Sequence, residues 1–476
     1  MKTYDLIVIG GGAGGLTVAS GAASLGATVA LIEKNSELGG DCLHYGCVPS
    51  KAFIAAAKEV HQAQRAAEQF GFELNGKPDF STAMKRVKDA IAHIQVHDSK
   101  ERFTKLGVSI YHGEGTFKDK HHVVINNREI IKGKKIVIAT GSRPNVPPIE
   151  GLKEVKFLTN ESIFDLKNKP DRLLVIGGGP IGLEMAQSFA RFGSEVTVAE
   201  AGPTIFGRED EDMIPIIKKE LEKEISILYN AMTKKVEANA KGEKVVTIKQ
   251  NNELKTYTFD EIIVSAGRKN NIEKLGLENI GVDVDKGAIV VNDYLQTSIS
   301  NIYAIGDING NFPFTHAAGM EGKVVVRNAV FGIKGKVNYD HTPWVTYTDP
   351  EVYHLGLTEQ DAKDKYGEEF RTYKVAMNDV DRFIADRNNV GLLKVITKKN
   401  GHILGAHAVG KNASDWMQEI VMAKTNGLKI GSISNVIHPY PTHAAIVQQT
   451  ADLYWREKLF NGSIPTITKK YIKWFR

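Results

Sequence analysis

The sequence has very little cysteine: two residues, Cys42 and Cys47, in 476. That excludes an extracellular disulfide framework. It has no apolar run near the ~18 residues a membrane-spanning helix needs. It also lacks a strong charge of either sign, with 61 Lys and Arg against 56 Asp and Glu. An excess this small on so long a chain gives no reason to expect a nucleic-acid partner. With 42% hydrophobic and 25% charged residues, disorder and fibrous architecture are excluded as well. The first 26 residues hold one lysine and a short apolar run, Leu6 to Ile9, which ends at Gly10-Gly11-Gly12. A secretory signal needs a longer apolar region. These lacks point to a soluble, cytoplasmic chain of roughly three domains at ~150 residues each.

What is present begins with a repeat. Val8 to Glu33 reads VIGGGAGGLTVASGAASLGATVALIE, and Val175 to Glu200 reads VIGGGPIGLEMAQSFARFGSEVTVAE, with 12 identities in 26 positions. Both segments fit strand, glycine turn, helix, strand, because short apolar runs flank each turn. Each carries G-x-G-x-x-G: Gly10, Gly12 and Gly15, then Gly177, Gly179 and Gly182. The first glycine permits the tight turn, the second lets backbone approach a pyrophosphate, and the third lets helix and strand pack closely. The helix N-terminus then offers free N–H groups to phosphate. Each copy ends its second strand in an acid, Glu33 or Glu200, placed to accept hydrogen bonds from ribose hydroxyls. Two dinucleotide sites in one chain suggest FAD and a nicotinamide cofactor exchanging electrons.

The two cysteines lie five residues apart in Gly39-Gly40-Asp41-Cys42-Leu43-His44-Tyr45-Gly46-Cys47-Val48-Pro49-Ser50-Lys51. A regular helix would hold such Cα atoms about 8–9 Å apart, beyond disulfide reach. A local turn must bring them together, and Gly46 is expected to supply the freedom. Pro49 and the run after it predict a helix beginning near Cys47, with Lys51 one turn on. A helix N-terminus and a lysine both stabilise a thiolate. The pair therefore reads as a dithiol–disulfide centre, against the plainer reading of two unconnected thiols. No matching Cys or His pair is evident elsewhere, so no metal ligands are named.

These segments resemble the class I pyridine nucleotide–disulfide oxidoreductases, in the mercuric-reductase-like and dihydrolipoamide-dehydrogenase-like branch. GGDCLHYGCVPSK is similar to the family's active-site segment, and Ala139-Thr140-Gly141-Ser142-Arg143-Pro144 to its domain crossover. Asn301-Ile302-Tyr303-Ala304-Ile305-Gly306-Asp307 resembles the second FAD motif, followed by Phe314-Thr315-His316-Ala317-Ala318 near the flavin ring. Tyr347-Thr348-Asp349-Pro350-Glu351-Val352 is similar to the opening of the dimerisation domain. The resemblance implies an α/β chain with two Rossmann-like dinucleotide-binding domains plus a C-terminal α+β dimerisation domain. FAD would occupy 1–149 and 271–339, NAD(P) 150–270, and the homodimer contact 340–476. Electrons would pass from NAD(P)H through FAD to a Cys42–Cys47 disulfide, and on to a soft metal ion, a disulfide or a small oxidant. Cys47 would face the flavin and Cys42 the substrate. Lys51 and Glu184 match an ion pair between flavin and nicotinamide. Gly115, Thr140, Gly141, Asp307, Thr315 and Gly267 complete the cofactor-binding residues, with the glycines, Glu33, Glu200 and Lys51 already named.

The pattern departs from the family at its end. Disulfide reductases of this family close with H-x-H-P-T-x-x-E, whose second histidine is the acid/base and whose glutamate orients it. Here the segment is His438-Pro439-Tyr440-Pro441-Thr442-His443-Ala444-Ala445. Tyr440 takes the histidine's place and Ala445 the glutamate's. A tyrosine, with its pKa near ~10, is a poor base at neutral pH. His438 and His443 are read as structural or exposed, without the usual carboxylate orienter. The tyrosine resembles the mercuric-reductase branch, where it lies beside the metal, and soft ions suit thiolates. That branch also carries a C-terminal cysteine pair, which this chain lacks. Remaining alternatives are a dihydrolipoamide-dehydrogenase-type enzyme with another acid/base, a flavin quinone reductase, and a redox sensor without turnover. Glu200 favours NADH over NADPH, because a carboxylate repels the 2′-phosphate; Arg208 nearby weakens that preference. Lys234, Lys235, Lys241 and Lys244 read as solvated strand edges. The tail from Ile464 to Arg476 mixes four cations with aromatics and no acid, which suits weak contact with an anionic membrane surface or an acidic partner, against the plainer reading of a solvated or subunit-packed tail.

Overall fold

Leu6 to Ile9 alternates its side chains between two faces, and both faces are apolar. Ile7 and Ile9 enter one buried cluster, and Leu6 and Val8 enter another. A strand buried on both sides belongs inside a parallel sheet covered by layers on each face. The computed structural model describes residues 1–460 and 464–475. It divides into two compact units: residues 1–201 with 228–339, and residues 202–227 with 340–476.

The first unit starts with β1 (Thr3–Ile9), α1 (Ala13–Ser24) and β2 (Val29–Glu33). Two helices follow, α2 (Gly40–His44) and α3 (Cys47–Phe70), and then α4 (Phe80–Gln95) and α5 (Lys100–Lys105). Strands β3 (Val108–His112), β4 (Gly115–Phe117), β5 (His122–Ile125) and β6 (Glu129–Ile138) complete a sheet ordered β3-β2-β1-β6-β5-β4. The strand Ile302–Ala304 joins it in parallel beside β6. The crossover strand β7 (Ser142–Pro144) pairs with Arg268–Asn270. The second copy of the repeat forms β8 (Arg172–Ile176), α6 (Pro180–Arg191) and β9 (Glu195–Ala199), with β8 and β9 parallel.

Aromatic packing ties α3 and α4 to the second copy. Phe53 of α3, fully buried, meets Phe80 of α4 at 5.8 Å, Phe189 of α6 at 5.1 Å and Phe192 at 5.5 Å. That cluster fixes α3 against α6. A three-stranded antiparallel sheet, Ala231–Ala238, Lys244–Gln250 and Glu253–Phe259, extends the same unit. Here the reading of Lys244 as a solvated edge is corrected. Its strand is the middle one, paired on both sides, and Lys244 is buried. Its Nζ donates to the Asp260 carbonyl and lies 3.1 Å from Glu261. Lys234 and Lys235 sit on an outer strand of that sheet.

The second unit is a five-stranded antiparallel sheet ordered Pro343–Thr346, Glu351–Gly356, Ile403–Gly410, Leu392–Lys398, Phe370–Ala376. One face carries Tyr353, Leu355, Ala406, Ala408, Leu393 and Val395 into a core shared with the helix Ala445–Phe460. The other face is also buried, yet it holds His354, His407 and Lys394. The tail forms a helix, Ile464–Trp474, whose Ile467, Tyr471 and Trp474 are exposed. Arg476 lies outside the described residues. Among these residues no helix is long and apolar enough to cross a membrane.

Candidate functional site

Both glycine turns have the same backbone. The first glycine is left-handed, φ 110° at Gly10 and 105° at Gly177. A Cβ on the third would fall 1.9 Å from the Gly10 carbonyl oxygen at Gly15, and 2.2 Å from that of Gly177 at Gly182. The second glycine is different. A Cβ at Gly12 would find its nearest described atom at 3.8 Å, and one at Gly179 would meet none within 4 Å. These open glycines are the N-caps of α1 and α6, which have no side-chain cap and no acid in the first turn. The N–H groups of a helix N-terminus beside bare glycine suit an anionic pyrophosphate. Glu33 accepts from the Gly11 N–H at 2.6 Å, and Glu200 from the Gly178 N–H at 2.8 Å. Each acid thus braces its own turn.

Gly10, Glu33, Gly115 and Thr140 line one cavity of about 370 Å³, together with Arg143 and Asn271. The cavity is of the size small-molecule sites have. Thr140 and Asn271 exchange two 2.9 Å hydrogen bonds, and Gly141 accepts a third from the Asn271 N–H. The Gly267 carbonyl accepts from the Asn145 N–H at 3.0 Å. The first glycine turn, the acid and this cavity therefore fit the FAD that the resemblance implies.

The cysteines occupy the join of two helices. Cys42 lies in α2, half-buried, and Cys47 is the first residue of α3, exposed. Gly46 has φ −119°, which is not the left-handed turn expected of it. Its need for glycine comes from close approach: a Cβ there would lie 3.0 Å from the Asp41 carbonyl and carboxylate oxygens. Cys47 Sγ sits 3.4 Å from Thr315 Oγ1, and Thr315 opens the helix Thr315–Val330. Two helix N-termini thus converge on this sulfur, and both favour negative charge. The Cys42 thiol donates to it, and Thr315 and the Lys51 ammonium add to the effect, so the Cys47 pKa falls to about 6. The same hydrogen bond, with burial, pushes Cys42 up. Lys51 Nζ lies 2.9 Å from Glu184 Oε2, joining α3 to α6, and Glu184 is only 5% exposed.

Asp307 is held through contacts that sequence reasoning missed. Ser142 donates to its carboxylate, and Arg268 Nε donates to Ser142 at 2.6 Å. Arg268 also reaches Asp41 at 3.2 Å, beside Cys42. Buried Glu321 accepts the Gly306 N–H at 2.6 Å and so fixes the turn that carries Asp307. Arg268 adjoins the expected Gly267, but nothing in the pattern shows what it pairs with. An acid inside an apolar helix was the available signal for Glu321.

The second unit corrects one reading and adds a cluster. Tyr440 is 80% exposed and donates to Asp381 at 2.9 Å, which raises its pKa. The two histidines do have carboxylates. His438 pairs with Glu419 at 2.9 Å and His443 with Asp386 at 3.0 Å. The partners come from other elements, so the missing glutamate beside the motif does not leave them unoriented. Where sequence named no metal ligands, Glu209, His354 and His407 bring donor atoms within 4.8 Å of one another.

Residues 4–322 match the family described as pyridine nucleotide-disulphide oxidoreductase, and residues 342–451 its dimerisation domain. The chain is 34% identical over 444 residues to a mercuric reductase of Bacillus cereus, covering 93% of this chain and 70% of that one. It is 35% identical over 456 residues to a dihydrolipoyl dehydrogenase of Geobacillus stearothermophilus, covering 94% and 96%. A solved Cu(II) complex of the HOCl-induced flavoprotein disulfide reductase RclA from Escherichia coli superposes with a TM-score of 0.84. That match has 26% identity and covers 95% of this chain and 100% of the other.

Proposed function

We propose that this chain, which belongs to the pyridine nucleotide-disulphide oxidoreductases, uses Cys42 and Cys47 to reduce a thiophilic metal ion. As a member it is an enzyme that binds FAD and uses NAD(P)H, and its dimerisation domain supports a homodimer. We take NADH as donor, from Glu200, and the cytoplasm, where NADH is held, as the place of reaction. FAD, when bound, supplies the two-electron link between nicotinamide and disulfide.

The chain's own residues do the rest. Two electrons and one proton convert the disulfide to a Cys42 thiol and a Cys47 thiolate at any pH above about 6. A soft divalent ion bound by both sulfurs displaces the Cys42 proton. As the S–S bond re-forms, two electrons leave the sulfurs and reduce one ion by two, or two ions by one each. No proton has to be delivered to a leaving sulfur. That is what favours a metal over a disulfide substrate, for which an acid is needed to protonate the departing thiolate. Tyr440 is the carrying observation: it takes the place of that acid/base in the sequence pattern, and a phenol that donates to Asp381 is a poor one near neutral pH.

The test is Cys42→Ser holoenzyme assayed for NADH oxidation with Hg(II) or Cu(II), with lipoamide or glutathione disulfide, and with a quinone. Turnover of metal and disulfide should vanish while quinone turnover persists. Loss of all three, or of none, would overturn the proposal. A disulfide substrate is the second reading, favoured by the His443–Asp386 pair. It requires His443→Gln to depress disulfide turnover and leave metal turnover intact.

A further inference from the structure

Strands Glu351–Gly356 and Ile403–Gly410 are antiparallel neighbours, and His354 stands directly opposite His407 in their register. Such partners have Cβ atoms about 4.5–5.5 Å apart, close enough to share a ligand. The row continues to Trp344 on one side and Lys394 on the other. All four lie on the sheet face away from the hydrophobic core. An apolar layer would be the ordinary occupant of such a buried face, so two imidazoles there need an account.

Hydrogen bonding fixes which nitrogen of each ring is protonated. His354 Nε2 lies 2.9 Å from the Gly356 carbonyl oxygen, and His407 Nε2 lies 2.9 Å from that of Leu357. Carbonyls only accept, so both Nε2 atoms carry hydrogen, and in neutral rings both Nδ1 atoms carry lone pairs. His354 Nδ1 then faces Glu209 Oε2 at 3.0 Å, one lone pair against another. His407 Nδ1 is buried and has no hydrogen-bond partner, in a residue with 0% exposure. A proton on His354 would settle the first contact and leave the second. A single cation shared by the three residues, whose donor atoms lie within 4.8 Å of one another, would settle both.

We propose that Glu209, His354 and His407 bind one borderline divalent cation of the zinc and copper class. Two imidazole nitrogens and a carboxylate oxygen are the donors such ions prefer, and three protein ligands leave a fourth position for water. The surrounding groups match a metal's second layer. Both rings are anchored through their outer N–H to backbone carbonyls. Trp344 donates its indole N–H to Glu209 Oε1 at 2.8 Å and stacks on His354 at 3.5 Å. The nearby lysines do not oppose a cation. Lys394 contacts Asp210 at 2.6 Å, Asp212 at 2.7 Å, and Glu359, while Lys374 contacts Asp212 at 2.7 Å. With Glu209, that sets four carboxylates against two ammonium groups, a field that favours added positive charge. The ion would staple the segment carrying Glu209 to two strands of the sheet. It contains no sulfur ligand and does not depend on the dithiol reading.

The experiment uses FAD-loaded full-length chain with both cysteines changed to serine, so that no thiolate competes. After chelator treatment it is dialysed against micromolar Zn(II). Zinc content and melting temperature are then measured, with FAD content as the check on folding. About one zinc per chain and a rise in melting temperature of ~2–4 °C are expected. Glu209→Gln, which keeps the volume, and His407→Gln should each lower zinc affinity 10-fold to 100-fold and abolish the rise. Cu(II) in the same protein should show nitrogen hyperfine splitting in its electron spin resonance, diminished in His407→Gln. If His407→Gln loses its FAD, Glu209→Gln alone decides. No retained zinc, or zinc retained equally in Glu209→Gln, overturns the proposal.

Discussion

Three of the neighbours that shift the proton affinity of the Cys47 sulfur do so in directions that can be tested separately. Cys42 donates a hydrogen bond and lowers it, Lys51 lowers it by charge, and Glu184 raises it by charge. Alkylation of the NADH-reduced enzyme at Cys47 should therefore follow a midpoint near pH 6. Cys42→Ser and Lys51→Met should move that midpoint up, and Glu184→Gln should move it down. A common direction for Lys51→Met and Glu184→Gln would show that the pair acts only by positioning helices. The same depression has a stability consequence. The folded value lies below the unfolded one, so the thiolate's contribution is full above pH ~8.5 and is lost as pH falls through about 6. Chemical denaturation of the dithiol form should show this slope, and Cys47→Ser should remove it.

At the scale of the element, the two glycine turns separate steric need from ligand need. Alanine is normally about 1 kcal/mol better than glycine inside a helix. At Gly15 and Gly182 that gain is overridden, because the added Cβ runs into a carbonyl oxygen. Gly15→Ala should lose FAD, and Gly182→Ala should keep FAD while lowering stability. Gly179→Ala meets open space, so its melting temperature should hold while KM for NADH rises. A KM unchanged in Gly179→Ala would mean that the second turn does not hold the nicotinamide cofactor. Phe53 gives a packing counterpart. Its removal should cost ~3–5 kcal/mol and loosen the helices that carry Lys51 and Glu184. These elements were legible in the sequence because turn, helix and acid are written within one short stretch. Gly46 shows the limit of such reading: glycine was required there, but for a contact with Asp41 and not for a positive φ. The bonds that gather Asp41, Ser142, Arg268 and Asp307 were not legible, since each joins distant segments.

For the whole molecule, the same distinction explains why the second unit was read least well. A histidine's orienting carboxylate was sought beside it in the motif, whereas Glu419 and Asp386 arrive from other elements. His354 and His407 are lone histidines in two strands, and only strand register makes them neighbours. Tyr440 was named from sequence, and its exposed ring raises the question of what it meets in the assembled enzyme. The family resemblance implies that each active site draws on two chains of the homodimer. If so, and with the Tyr440 hydroxyl beside the metal as the resemblance implies, Cys42→Ser and Tyr440→Phe damage the same site from opposite subunits. Each variant dimer alone should be inactive or nearly so toward a metal ion. Mixed and reassociated, the two should form dimers in which one site pairs intact cysteines with an intact tyrosine. The other site carries both lesions. Random reassociation makes half of all dimers mixed, so metal-dependent NADH oxidation should return to about a quarter of the unmodified rate. Recovery to that level would assign Tyr440 to the partner's dithiol. No recovery, despite mixed dimers verified by tagged purification, would confine the site to a single chain.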